Sequence, residues 1–186
     1  GMRVIGNDDD LRAQLPVARR EAQAAFGNDE VYLEKLVQRA HHVEVQIIGD
    51  RHGQVVHLFE RDCSVQRRNQ KVVERAPAPY LDETLRAALC GSALKLARAV
   101  NYTHAGTVEF LMDADTREYY FIEVNQRIQV EHTVTEQVTG IDIVKAQIRI
   151  TEGARIGDRD DQLDDKGLLL AAGSGVPAQA DIRLNG

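Results

Sequence analysis

Two stretches of the chain repeat one pattern, short runs of alternating apolar and polar residues joined in pairs by a polar turn, and this confines the fold to an antiparallel sheet. In VEVQIIGDRHGQVVHLFE the alternation stands on both sides of the turn DRHG at residues 50–53, and GTVEFLM and EYYFIEV flank the turn DADTRE. Period two marks strands with one buried face, and turn residues between two such runs read as hairpins. Helical patterns surround them. LRAQLPVARREAQAAF has Asp8, Asp9 and Asp10 ahead of it as N-cap choices and Gly27 behind it as a C-cap. Pro16 in its interior would cost about 3 kcal/mol, which predicts a kink or a later start. After residues 76–79, Ala-Pro-Ala-Pro, break the strand VVE, a second helix opens near Asp82 with Leu85, Leu89, Leu96 and Val100 on its buried side. In IDIVKAQIRI, Ile141, Val144 and Ile148 fall at helix spacing, and Gly153 closes the helix. MRVI and VYLEKLV read as short strands, residues 61–71 as a polar loop, and the stretch from Gly157 to Gln179 as a long surface loop. The class is α+β.

A chain of 186 residues holds one hydrophobic core, or one core with a small appendage. No run of about 18 apolar residues is present to cross a bilayer, so no membrane partner is expected. A net charge of -6 argues against general nucleic-acid binding. Cys63 and Cys90 form neither a CxxC nor a zinc-spaced cluster, and the opening GMRVIGNDDD lacks the pattern of a secretory leader, so a reducing cytoplasm is the expected compartment.

Chemistry concentrates in the second hairpin and its continuation, FIEVNQRIQVEHTVTE. Period two puts Val108, Phe110 and Met112 on a core face with Tyr120, Ile122 and Val124, and puts Glu109 across from Glu123 on the other face. Opposed carboxylates destabilise a sheet unless a positive charge lies between them. With Asn125 adjacent and no His or Cys, the donor set suits a hard ion, Mg²⁺ or Mn²⁺. The competing reading is a solvated outer face with screened charges. If the alternation continues, Arg127, Gln129 and Glu131 extend that face with an anion-binding fork and a candidate general base, a set suited to phosphoryl transfer. Arg67, Arg68 and Lys71, with Gln66 and Asn69, form a basic segment that is either a solvated turn or a counter-charge for phosphate. His41 and His42 precede a strand, where a histidine is commonly structural.

Taken in order, VYLEKLV, HHVEVQIIGD, ERDCSVQRRNQKVVERAPAP, AGTVEFL and FIEVNQRIQVEHTVTEQVTGIDIVKAQI strongly resemble the biotin carboxylase module of biotin-dependent carboxylases, which has the ATP-grasp fold. The likeness covers residues 1–157 and the closing DIRLNG; Asn69 and HTVTE resemble the pyruvate carboxylase branch. It implies an incomplete ATP-grasp fold, with residues 1–36 the end of the small lid subdomain and residues 37–186 a truncated large subdomain whose mostly antiparallel sheet has flanking helices.

By the same resemblance, Glu34, Lys35 and Val37 run along the adenine, Leu111 packs beneath it, and His42 and Gln66 lie near the ribose and phosphates. Glu109 and Glu123, with Asn125, hold the metal. Lys71, Arg127, Gln129 and the backbone of Val130 form a bicarbonate pocket, and Glu131 is the base. The implied reaction is attack of bicarbonate on ATP to give carboxyphosphate, whose CO₂ is captured by biotin carried on a segment absent from this chain. In the full enzyme, expected to be a homo-oligomer with biotinyl carrier and carboxyltransferase domains, pyruvate then becomes oxaloacetate. An acetyl-CoA or other acyl-CoA carboxylase is an alternative, and so is an inert nucleotide-binding or assembly fragment. Several family features have no counterpart here: the glycine-rich phosphate loop with its two lysines, the later arginine that stabilises the biotin enolate, and the biotinyl-lysine motif. Gln126, Pro16 and the long stretch after Asp158 also depart from the pattern. A fragment of slow or no turnover is expected.

Overall fold

The computed structural model describes residues 2–158 and 173–185, in two compact units, Gly1–Gln38 and Arg39–Gly186. The first unit is built on α1 (Asp8–Phe26). The N-cap is Asn7, whose Oδ1 accepts from the Asp10 N–H at 2.9 Å, so Asp8, Asp9 and Asp10 fill the first turn instead, where their charge complements the helix dipole. Gly27, at φ 71°, closes the helix by donating to the Gln23 carbonyl. The helix does not start after Pro16 but runs through it. The carbonyl left without its partner is that of Arg12, on an exposed stretch where water can take the bond. Neither MRVI nor VYLEKLV becomes a strand: residues 2–6 and 31–37 have no ladder partner among the described residues, and Tyr32, Leu33 and Leu36 are exposed.

The second unit is a five-stranded antiparallel sheet in the order β3-β2-β1-β4-β5. The strands are β1 (Ala40–Gly49), β2 (Val55–Arg67), β3 (Gln70–Arg75), β4 (His104–Asp113) and β5 (Tyr119–Asn125). Both expected hairpins form, as β1–β2 and β4–β5. A third was not expected. The supposed loop at residues 61–71 is the end of β2, a tight turn and the start of β3, with Arg67 paired to Gln70 and positive φ at both Arg68 and Asn69, the backbone of a two-residue hairpin turn.

Each face of the sheet carries a core. Val43, Val45 and Ile47 of β1 and Val108, Phe110 and Met112 of β4 pack against α2 (Glu83–Ala99), which Asp82 caps. The buried stripe of α2 is Leu89, Cys90, Ala93, Leu94 and Ala97; Leu96 falls at its margin and Val100 past the helix end, so both are exposed, contrary to the expected face. Ile48, one residue on from Ile47, points the other way, into a second core with Ile143, Ala146 and Ile150 of α4 (Ile143–Thr151). Val144 and Ile148 lie on the exposed side of that helix. A bulge between Glu109 and Phe110 leaves Ile122 as an extra residue in β5 and reverses the parity beyond it, so Tyr119, not Tyr120 or Ile122, packs with Val124 against the core. The stretch expected as a surface loop lies mostly outside the described residues; its described end is not on the surface, because Val176 joins Ile156 in the second core. No described helix is long and apolar enough to cross a membrane.

Candidate active site

One row of charged residues crosses four strands. Arg61 of β2 stands opposite Glu44 of β1, Glu44 opposite Glu109 of β4, and Glu109 opposite Glu123 of β5. Parity explains the shared face. Glu44 lies between Val43 and Val45, and Glu109 between Val108 and Phe110, so each strand that sends these apolar residues toward α2 sends a glutamate the other way. Three glutamates in a row repel one another and need compensation.

Two cations supply it. Arg61 is 0% exposed; its Nε donates to Glu44 Oε1 at 2.6 Å, and its Nη1 donates to Gln46 Oε1 at 2.7 Å and Thr135 Oγ1 at 2.8 Å. Lys71, at the start of β3, donates from Nζ to Glu109 Oε1 at 2.9 Å, to Glu131 Oε1 at 2.7 Å and to Glu44 Oε2. A further layer orients Glu109. Gln66 Nε2 donates to His42 Nδ1 at 2.7 Å, which assigns the imidazole proton to Nε2, 2.7 Å from Glu109 Oε2. Asn125 Nδ2 donates to Glu109 Oε1 at 3.0 Å and Glu123 Oε1 at 3.3 Å, bridging the opposed carboxylates, and Gln129 Nε2 donates to Glu109 Oε1 at 3.1 Å.

Protonation follows from these contacts. Burial works against the charge of Glu109, but the hydrogen bonds from His42 and Lys71 and the lysine charge hold its carboxyl at about 2. Burial likewise opposes ionisation of Glu131, yet Lys71, the residue's own backbone N–H and the Arg61 charge keep it below the usual carboxylate range. Burial disfavours the Lys71 ammonium too, and the three carboxylates overcome that and raise its pKa. All these groups are ionised at neutral pH. Four carboxylates, Glu44, Glu109, Glu123 and Glu131, lie with Arg61 and Lys71 in one hydrogen-bonded cluster.

The expected site residues divide into three groups. Lys71, Glu131, Glu109, Glu123, Asn125, Gln129, His42 and Gln66 are brought together. Leu111 is half-buried, opposite His42 in the adjoining row. Arg127 and Val130 are not gathered. The alternation past Asn125 does not hold, because β5 ends there and the chain turns into α3 (His132–Thr139), with Glu131 at its N-cap position. The turn, closed by the His132 N–H on the Gln129 carbonyl at 3.2 Å, carries Gln129 and Glu131 inward and leaves Arg127 exposed, donating to the Ile128 carbonyl, and Val130 90% exposed. Glu34, Lys35 and Val37 belong to the first unit, Glu34 and Lys35 exposed and Val37 half-buried. Arg67 and Arg68 are exposed in the β2–β3 hairpin.

Three residues of the cluster went unread in the sequence. Glu44 sits in HHVEVQ with the same parity signal as Glu109, but only the pairing of β1 with β4 gives it meaning. Arg61 and Thr135 looked like ordinary polar positions.

A divalent cation fits this donor set. Glu109 and Glu123 offer hard oxygens in a row of opposed carboxylates, and Gln129, 7% exposed, has a buried Oε1 with no hydrogen-bond partner. The ligand atoms of His42, Glu44 and Glu109 lie within 4.8 Å of one another, as do those of Glu44, Cys63 and Glu131, and the Lys71 ammonium is bonded among the same carboxylates. Two surface hollows, about 370 Å³ beside α4 and about 260 Å³ beside the β1–β2 turn, include none of these residues.

The family model "Carbamoyl-phosphate synthase L chain, ATP binding domain" matches residues 1–159. Pyruvate carboxylase of Bacillus subtilis is 56% identical over 153 residues, 82% of this chain and 13% of the relative. Pyruvate carboxylase of Aspergillus terreus is 54% identical over 173 residues, 91% of the chain and 14% of the relative. Among solved structures, a Rhizobium etli pyruvate carboxylase variant with the activator acetyl coenzyme A superposes with a TM-score of 0.82 at 66% identity, covering 100% of this chain and 15% of that one. The biotin carboxylase domain of a thermophilic 2-oxoglutarate carboxylase bound to bicarbonate also gives 0.82, at 43% identity, covering 99% and 37%. The chain spans about one seventh of the length of the curated relatives it matches.

Proposed function

Since the chain belongs to the carbamoyl-phosphate synthase L chain ATP-binding domain family, we propose that it forms the bicarbonate-activating half-site of an ATP-grasp biotin carboxylase within a pyruvate carboxylase. The observation that carries this is the contact of Lys71 with Glu131 at 2.7 Å beside the Glu109–Glu123 pair and the unpartnered Oε1 of Gln129. A cation and a carboxylate stand side by side next to two opposed carboxylates that could hold a metal ion.

In this reading Glu109 and Glu123, with Asn125, hold Mg²⁺ or Mn²⁺, which when bound neutralises the phosphate oxygens of ATP. Lys71 and Arg127 hold the bicarbonate oxygens. The Gln129 side chain and the Val130 backbone close the pocket. Glu131 takes the bicarbonate proton as an oxygen of that anion attacks the γ-phosphorus and the bond to ADP breaks, giving carboxyphosphate. When the anion draws Lys71 away from Glu131, the carboxylate loses a hydrogen bond that depressed its basicity, so the base is strengthened when substrate is present. His42 and Gln66 face the nucleotide, and Leu111 packs beneath the base. Biotin, on another segment, receives the CO₂, and a separate carboxyltransferase passes it to pyruvate.

The test is titration of the chain with Mn²⁺, with and without ATP, followed by electron paramagnetic resonance. Glu123→Gln should weaken Mn²⁺ binding at least about tenfold while leaving the melting temperature in place. Unchanged binding in that variant refutes the metal assignment.

A further inference from the structure

We propose that Arg61 is the positioning residue that holds Lys71 and Glu131 against each other, acting from beneath the site through two arms. The first arm is the bond from Nε to Glu44 Oε1 at 2.6 Å, and the other oxygen of Glu44 accepts from Lys71. The second is the bond from Nη1 to Thr135 Oγ1 at 2.8 Å. Thr135 is fully buried and lies one turn into α3, the helix that Glu131 precedes. Glu131 makes no side-chain capping bond to α3, whose eight residues are too few to hold a direction unaided. The Thr135 hydroxyl therefore ties the helix, and the carboxylate at its head, to the sheet. Bonds to Gln46 Oε1 at 2.7 Å and Thr107 Oγ1 at 3.4 Å fix the guanidinium plane against β1 and β4.

The residue type fits this task. A guanidinium is a planar fork that reaches several acceptors at set angles, whereas an ammonium supplies the charge without the span. Stability alone is a weak reason for such a group, since a buried ion pair is commonly no better than apolar residues of similar volume. What Arg61 does that apolar side chains cannot is join β1 and α3, the two elements next to Lys71 and Glu131, through one rigid group. The inference rests on the bicarbonate-activating role argued above.

Two variants separate position from fold. Arg61→Lys keeps the charge facing Glu44 but cannot also reach Thr135, and Thr135→Val removes one acceptor at nearly constant volume. In the chain, the ¹⁵N–¹H signal of the Lys71 ammonium, assigned by its loss in Lys71→Met, should broaden or shift in both variants while circular dichroism stays the same. In a full-length pyruvate carboxylase whose matching segment is replaced by this chain, both should lower kcat for bicarbonate-dependent ATP cleavage at least about tenfold, the scale of a sub-ångström to 1 Å misplacement, with KM for MgATP within about twofold. An unchanged Lys71 signal with unchanged kcat overturns the inference. So does a joint fall of kcat, MgATP affinity and melting temperature in Thr135→Val, which would make the contact merely structural. If the unmodified graft does not cleave ATP, the proposed function fails, and the Lys71 signal still decides the role of Arg61.

Discussion

Replacing Glu109 by Gln tests whether the cluster's electrostatics contribute to folding as the contacts imply. In the folded chain this carboxyl is held at about 2 against an ordinary value of 4.5, and its residue is 5% exposed, so solvent screens little of the effect. A depression of this size corresponds to roughly 3 kcal/mol. The sign follows from the direction. A carboxyl whose folded value is depressed contributes stability that is fully present above the unfolded value and is lost as pH falls through the folded one. Glu109 should therefore stabilise the chain at pH 7 and lose that contribution between about pH 5 and pH 2. Urea unfolding midpoints of wild type and Glu109→Gln, measured with a chelator across that range, give the difference directly, and much of the acid lability due to Glu131 and Asp62, which are also depressed, cancels in it. The variant should be less stable by about 3 kcal/mol at pH 7, with the gap closing toward pH 2. Parallel pH profiles for the two proteins would refute the account of Lys71 and His42 as partners of an ionised Glu109.

Two backbone positions yield sharp expectations. A Cβ at Gly49 would stand 2.2 Å from the Tyr102 carbonyl oxygen and 3.3 Å from the Thr103 Cα, neither of which can yield as a side-chain tip could, so Gly49→Ala should cost about 3 kcal/mol or more in thermal or urea unfolding; a loss under about 1 kcal/mol contradicts this. Arg68→Gly should relieve the strain of a left-handed residue at φ 53° in the β2–β3 turn and raise stability by about 0.5–1 kcal/mol, net of the entropy glycine loses on folding; a lower urea midpoint contradicts that.

Local signals in the chain reached as far as the hairpins and little beyond. The turns at residues 50–53 and 113–118 sit between alternating runs, so β1–β2 and β4–β5 could be read, and with them the opposition of Glu109 and Glu123. Where one residue changes parity, the reading fails: the bulge at Ile122 puts Tyr119, not Tyr120, against Phe110, with ring centroids 5.7 Å apart. The β2–β3 hairpin was hidden because Arg68 and Asn69 adopt positive φ without a glycine to announce it. VYLEKLV has strand composition but no ladder partner among the described residues, and composition cannot supply one.

The candidate site was half legible for a related reason. Glu109, Glu123 and Asn125 belong to one hairpin, and Gln129 and Glu131 follow in the same short segment, so proximity in the chain stood in for proximity in space. Glu44 and Arg61 enter through the pairing of β1 with β4, strands separated by β2, β3 and α2, which no local pattern encodes. Yet the same rule that hides them explains why they can exist. Each of these central strands gives alternate residues to the α2 core and to the charged row, so Val43, Val45, Val108 and Phe110 supply apolar burial behind the strands that carry Glu44 and Glu109. Burying Arg61 and Glu44 is unfavourable in itself, and the opposed core lets the sheet tolerate it. A charged row so placed is held by the rigidity of the sheet, and the acid–base role proposed for Glu131 beside Lys71 needs that rigidity if the geometry is to persist until substrate arrives.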